Sequence, residues 1–287
     1  AALQTAPPTV PNVLISFPAP HVLLVTLNRP KQLNAIPSTQ HAALASLWDW
    51  YDAEPHLRAA VLTGSGRAFC AGADLREWDR VNSSSSSPSS GDTTAAAEKI
   101  AMPPAGFGGM SNRPGRKPII AAVNGLCYGG GFEIIVNCDI ILAGKDAKFG
   151  LPEVTIGVVA LAGALPRLAG IVGRQRASEM VLLGRTGYSA ETMREWGVVN
   201  FVVGEGEGEV VSEAVKVARE MAERCSPDAV IVSREGLRLG GEGLSPERAV
   251  EVLAQGWYGR IDKGENMREG VRSFVERRAP VWVDSKL

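Results

Sequence analysis

Three short segments of this 287-residue sequence gather residues that could do chemistry. The first reads Arg67-Ala68-Phe69-Cys70-Ala71-Gly72-Ala73-Asp74-Leu75. The second reads Asn124-Gly125-Leu126-Cys127-Tyr128-Gly129-Gly130-Gly131-Phe132-Glu133, and the third Phe149-Gly150-Leu151-Pro152-Glu153 with Gly157 beyond it. Three consecutive glycines remove every side chain from a turn, so a ligand can approach the backbone itself. A helix beginning near Gly131 would aim unpaired N–H groups and the positive end of its dipole at that ligand. A second exposed N–H from the Gly72-Ala73 loop would complete a pair of donors able to hold negative charge on a carbonyl oxygen. Losing one comparable donor costs roughly 3–4 kcal/mol of activation free energy. Tight packing is the commoner use of glycine, and the spacing alone leaves both readings open.

Two carboxylates flank this arrangement. Glu133 follows the triplet at the edge of an apolar run, and Glu153 follows Pro152. Charges are rarely buried unless paired or used, so two glutamates beside an oxyanion site suggest a general acid and a general base. An ordinary ion-pair glutamate looks the same in sequence. His21, His41 and His56 all precede the glycine triplet without a recognisable Cys or Ser partner and read as surface or packing residues. Cys70 and Cys127 read as small buried hydrophobes, and no His/Cys cluster has metal-ligand spacing. The triplet is not followed by Lys-Ser or Lys-Thr, and it does not make G-x-G-x-x-G. Phosphate-loop and dinucleotide readings therefore lack support.

These motifs need elements to position them. Residues 13–17 and 22–27 read as paired strands separated by the turn-forming Pro18-Ala19-Pro20. Ser38 is a candidate N-cap for a helix with Leu44, Leu47, Trp48 and Tyr51 on one face. Short apolar runs at 59–62, 119–123 and 140–143 read as buried strands, each closed by Gly-containing turns. Strands alternating with helices indicate an α/β fold. Between about 79 and 117 the composition turns Ser-, Pro- and Gly-rich, and residues 83–90 hold too little apolar surface to offset their ordering entropy. That stretch reads as a flexible insertion within a core spanning 1–208. From 209 to 287 the chain reads as helical, with segments at 210–224, 228–239, 246–260 and 266–277.

The bulk numbers exclude some classes. With 30 basic and 31 acidic residues there is no cationic surplus for displacing counterions from nucleic acid. No apolar run reaches the roughly 20 residues of a membrane span, and residues 1–11 lack the pattern of a secretory signal. Four cysteines without CxxC spacing suggest free thiols in a reducing compartment. The final Ser285-Lys286-Leu287 matches the address read by the peroxisomal import receptor, so the expected location is the peroxisome.

Taken in order, with Arg29-Pro30-Lys31-Gln32-Leu33-Asn34-Ala35 near the start and Phe274-Val275-Glu276-Arg277-Arg278 near the end, these motifs resemble the crotonase (enoyl-CoA hydratase/isomerase) superfamily over about residues 13–280. The resemblance implies a spiral of ββα units with a C-terminal helical trimerisation region, assembled as a homotrimer or homohexamer. It places an oxyanion hole at the N–H groups of Ala73 and Gly130. It implies that Ala71, Ala73, Asp74, Leu75, Arg76 and Gly130 line the thioester and coenzyme A arm, with Lys31 a further contact. No cofactor is implied beyond coenzyme A as part of the substrate.

Members with both glutamates resemble hydratases, which add water across a 2-enoyl thioester; isomerases keep only the second. Here both stand, as Glu133 and Glu153, which favours an enoyl-CoA hydratase. An enoyl-CoA isomerase, a carnitinyl-CoA-type dehydratase and a non-catalytic acyl-CoA-binding protein are the alternatives. One departure concerns the run Ala160-Leu161-Ala162-Gly163-Ala164, where the family usually has Pro-Gly-Ala-Gly-Gly. Leu161 is expected to put a bulky side chain near the acyl group and water.

Overall fold

Apolar runs without polar interruption become strands covered on both faces. In the computed structural model, which describes residues 3–84, 102–204 and 208–287, such runs build the larger of two sheets. Its strands are β1 (Val13–Ala19), β2 (Val22–Leu27), β3 (Ala59–Gly64), β5 (Ile119–Val123), β7 (Ile140–Gly144) and β10 (Phe201–Val203). They lie in the order β1-β2-β3-β5-β7-β10, antiparallel between β1 and β2 and parallel thereafter. The smaller sheet holds β4 (Ala68–Cys70), β6 (Leu126–Tyr128), β8 (Lys148–Gly150) and β9 (Tyr188–Ser189) in that order.

Each chemical motif occupies the same place in a repeated design. A long strand of the first sheet ends at a tight turn, and the chain re-enters as a short strand of the second sheet: β3 into β4, β5 into β6, β7 into β8. After these short strands come α2 (Leu75–Ser84), α3 (Gly130–Ile135) and a 3-10 turn, Glu153–Ile156. Side-chain amides tie the units together. Asn34 Nδ2 donates to the Ala68 carbonyl at 2.7 Å, and Asn124 Nδ2 donates to the Gly66 carbonyl at 2.7 Å. The ββα spiral expected from the resemblance is the observed fold.

Alternation along β3 assigns its two faces, as the pleat requires. Ala60 and Leu62 join the main core with Leu47, Trp48, Tyr51 and Phe132, and the helix that delivers Trp48 and Tyr51 is α1 (His41–Ala53). Ala59 and Val61 face the other way, against α7 (Glu209–Arg224). In α7 the buried residues Val210, Ala214, Ala218 and Ala222 recur every four positions, giving a smooth stripe that lies close on the sheet. Between α3 and α7 the chain forms α4 (Ala164–Val172), α5 (Arg174–Leu182) and α6 (Ala190–Glu195). Beyond α7 come α8 (Pro227–Gly241), α9 (Pro246–Leu253), a π-helical stretch Ala254–Tyr258, α10 (Gly259–Ile261) and α11 (Glu265–Glu276). The expected helix at 246–260 is thus one rod with an altered winding. The tail folds back onto these helices: Ser285 Oγ donates to Asp228 and Lys286 Nζ pairs with Glu265. No helix among the described residues is long and apolar enough to cross a membrane.

Two expectations need correction. Ser38 does not cap α1; it opens a 3-10 turn, Ser38–Gln40, and its N–H and Oγ both donate to Glu77. The 79–117 segment is not loose throughout. Residues 85–101, which carry most of the Ser-rich run, lie outside the described residues, but α2 extends to Ser84 and residues 106–117 are anchored in the core. Phe107, Met110, Arg113 and Lys117 are all buried. The anchor is Asp52, whose Oδ1 accepts from Arg113 Nη2 at 2.6 Å, from Arg116 N at 3.0 Å and from Lys117 N at 2.9 Å. Composition missed this because glycine there makes close approaches, as where a Cβ on Gly109 would lie 2.4 Å from Ala45 N. Removing the carboxylate strands a buried guanidinium. Asp52→Ala should therefore cost about 3–5 kcal/mol in urea unfolding, and a loss below about 1 kcal/mol would show that this anchor is dispensable.

Candidate active site

The glycine triplet serves two purposes, both visible in the turn between β6 and α3. Gly129 has φ 53°, a left-handed conformation that swings the chain from strand into helix. A Cβ on Gly131 would sit 2.2 Å from the Cys70 carbonyl oxygen, so the turn packs backbone on backbone against the end of β4. The contact extends along that loop, where a Cβ on Gly72 would come within 3.0 Å of Gly130 N. Packing and ligand approach are therefore consequences of one geometry.

Two amides emerge from it. Ile36 pairs with Ala73 in a parallel bridge, in which Ile36 N donates to the Gly72 carbonyl and Asp74 N donates to the Ile36 carbonyl. That pattern directs the Ala73 N–H to the opposite side. Gly130 is the first residue of α3, where N–H groups have no partner within the helix. Ala73 and Gly130 both line a cavity of ≈ 590 Å³ that also holds Glu133 and Glu153.

The carboxylates are held differently. Glu133 is 4% exposed, and its Oε1 accepts from Ala162 N at 2.8 Å and Ala164 N at 3.4 Å. Burial pushes its carboxyl up to about 7, against the opposing pull of those two amides and with help from the Glu153 charge. Glu153 begins its 3-10 turn, and its Oε2 is buried without a hydrogen-bond partner. Burial raises this carboxyl too. Both carboxyls are thus raised by burial in one cavity, and a carboxyl that keeps its proton above the ordinary carboxylate range can act as a general acid.

Other expected site residues divide. Ala71 and Leu75 line the cavity. Asp74 instead pairs with Arg29 at 2.9 Å; burial alone would raise its carboxyl, but the guanidinium outweighs that and holds it below the usual range. Its observed work is to fix the loop that presents Ala73. Lys31 stands exposed in the 3-10 turn Pro30–Gln32, and Arg76 is exposed on α2; neither lines the cavity. Phe132, next to Glu133 in the chain, is fully buried and meets Phe149 edge-on.

Leu161 is 82% exposed at the cavity wall, together with the exposed Ile156 and Val159. The segment's contribution to Glu133 comes from backbone N–H groups, which explains how its side chains can depart from the family pattern. Sequence reasoning missed His41 and Phe107, which both line the cavity. Neither has a local signature; Phe107 sits in the glycine-rich run read as loose, and His41 becomes part of the site only through tertiary folding.

The sequence matches the family described as enoyl-CoA hydratase/isomerase over residues 19–285. The chain belongs to that family. Among curated relatives, a mevalonyl-coenzyme A hydratase of Beauveria bassiana is 58% identical, covering 98% of both chains. A mevalonyl-coenzyme A hydratase of Aspergillus fumigatus is 46% identical, again covering 98% of each. Among solved structures, an enoyl-CoA hydratase from Mycobacterium tuberculosis superposes with a TM-score of 0.81 at 32% identity, covering 96% of this chain and 100% of that one. Family membership and these relatives support a hydro-lyase acting on an acyl-CoA thioester.

Raising a carboxyl to about 7 by burial has a stability consequence. Between its unfolded value and about 7 the native state binds the extra proton, so the fold loses stability as pH rises through that window. Glu133→Gln removes the loss while keeping an acceptor for Ala162 N. At pH 8 its Tm should exceed wild type by about 2 °C or more, and at pH 5 the gap should close; a lower Tm at pH 8 would contradict the raised carboxyl.

Proposed function

We propose that this protein is a mevalonyl-CoA hydratase, interconverting a 3-methyl-5-hydroxy-2-enoyl-CoA thioester plus water with mevalonyl-CoA. The observation that supports the chemistry is one cavity lined by buried Glu133, by Glu153 with its Oε2 buried, and by Ala73 and Gly130. The relatives' names carry the choice of acyl group, which was beyond reach of sequence reasoning.

In the hydration direction, the thioester oxygen takes the Ala73 and Gly130 N–H groups. Charge moves onto that oxygen as water adds at C3, so the amides bind the enolate-like transition state more tightly than the substrate. Ionised Glu133 removes the proton from the attacking water. Protonated Glu153 delivers a proton to C2, and the new C–O and C–H bonds replace the double bond. Dehydration runs the same steps backward, with Glu153 as base and Glu133 as acid. Each glutamate thus needs the opposite protonation state of the other. The hydration rate should fall on the acid side as Glu133 takes up a proton near 7, well above an ordinary carboxylate.

The test follows the enoyl-thioester ultraviolet band with 5-hydroxy-3-methylpent-2-enoyl-CoA and with crotonyl-CoA. Glu133→Gln and Glu153→Gln should each reduce hydration by roughly 10²–10⁴-fold. Shuttling between 3-enoyl and 2-enoyl forms that survives Glu133→Gln would favour an isomerase, and binding without turnover would favour an acyl-CoA-binding protein.

We further propose that the C-terminal helices form a homotrimer contact, as the family resemblance implies. Supporting this, Phe274 is 85% exposed, with Val271 and Val275 also exposed on α11. Phe274→Glu should lower the mass seen by light scattering; an unchanged mass would remove α11 from the assembly face.

A further inference from the structure

The cavity has a second polar feature besides its carboxylates, on the side of Phe107. That ring covers the Gly130 backbone, since a Cβ on Gly130 would lie 2.5 Å from Phe107 Cε1. The same ring meets His41 edge-on, with centroids 4.7 Å apart. His41 is therefore placed one ring's width from an amide that holds the thioester oxygen in the reading above. It opens α1, is 8% exposed and lines the cavity.

The protonation of this histidine follows from its contacts. Its Nδ1 accepts the Gly108 N–H at 3.0 Å. An accepting Nδ1 requires the neutral tautomer with the proton on Nε2. Burial acts in the same direction, lowering the pKa against the opposing Glu77 carboxylate. The ring therefore offers one N–H donor, fixed in direction by Gly108 and Phe107. The cavity lining that includes His41 is apolar at Leu75, Trp78, Met102 and Phe107, with Ser38 and Thr39 as the hydroxyls nearest to it in the chain. A donor in such a wall is costly to desolvate unless the occupant brings an oxygen.

We propose that His41 is a specificity-determining residue whose Nε2–H donates to a hydroxyl oxygen at the distal end of the acyl group. It would thereby select ω-hydroxylated acyl thioesters over hydrocarbon ones. This deepens the hydratase reading and rests on it, because the C5 hydroxyl of a mevalonyl chain is such a group. A hydrocarbon chain reaching the same wall leaves the N–H unpaired, which is the basis of strong rejection in sites built around a substrate hydroxyl.

The experiment measures kcat/KM for hydration of 5-hydroxy-3-methylpent-2-enoyl-CoA and of its 5-deoxy analogue, 3-methylpent-2-enoyl-CoA. Wild type should favour the hydroxylated substrate by roughly 10–100-fold. In His41→Phe that ratio should fall toward one, mostly through a higher KM for the hydroxylated substrate. In His41→Gln, which restores an N–H donor, an intermediate ratio should return. If His41→Phe fails to fold, the wild-type ratio and His41→Gln decide the matter. A wild-type ratio near one, or a ratio unchanged in the folded variants, overturns the role of His41 while leaving the hydratase reading standing. No turnover of either substrate by wild type overturns that reading and this inference with it.

Discussion

The site depends on one contact: the backbone of the Gly72-Ala73 loop lies directly against the backbone of the Gly129–Gly131 turn. With a Cβ on Gly72 reaching 3.0 Å from Gly130 N and one on Gly131 reaching 2.2 Å from the Cys70 carbonyl oxygen, side chains at those positions would force the loops apart. The two amides belong to different ββα units, so their spacing is set by how one unit docks on the next. Asn34 and Asn124, which tie both units to the carbonyls around Ala68, lock that docking. Preorganised donors stabilise developing charge because they need no rearrangement during the reaction. Backbone held by two sheets meets that requirement better than mobile side chains.

The carboxylates work against stability in the same cavity. Glu133 is buried although its two backbone donors do not fully offset its desolvation, and Glu153 keeps one oxygen buried without a partner. An ion pair would have relieved either group, and would also have locked its proton in place. Leaving both carboxyls raised, Glu133 to about 7, leaves their protons free to exchange in acid and base roles. Compare Asp52 and Asp74, whose pairing with Arg113 and Arg29 ties the framework together. The same residue class is structural or reactive according to what faces it.

Much of this was legible in advance. The strands at 22–27 and 119–123, the apolar face of α1 and the C-terminal helices follow from periodicity and apolar runs, which depend on local chain geometry. The failures share a cause. Ser38 was a plausible cap until Glu77 on another element engaged it, and the glycines near Phe107 looked loose because composition cannot distinguish a free loop from one packed against α1. Leu161 stands out in sequence as a bulky side chain, while its segment acts on Glu133 through main-chain N–H groups that no residue identity reveals.

The sequence by itself determined which residues can be brought together: three glycine-bearing turns after buried strands, with a glutamate beyond two of them. Turn geometry and burial are written in local residue types, so the motifs and the α/β alternation could be read directly. Tertiary structure decided what the groups are once assembled. It made Glu133 a carboxyl titrating near 7 and turned His41 from a packing residue into a fixed donor on the cavity wall. Those properties arise from desolvation and from partners distant in the chain, as Gly108 is from His41, and neither is encoded in spacing.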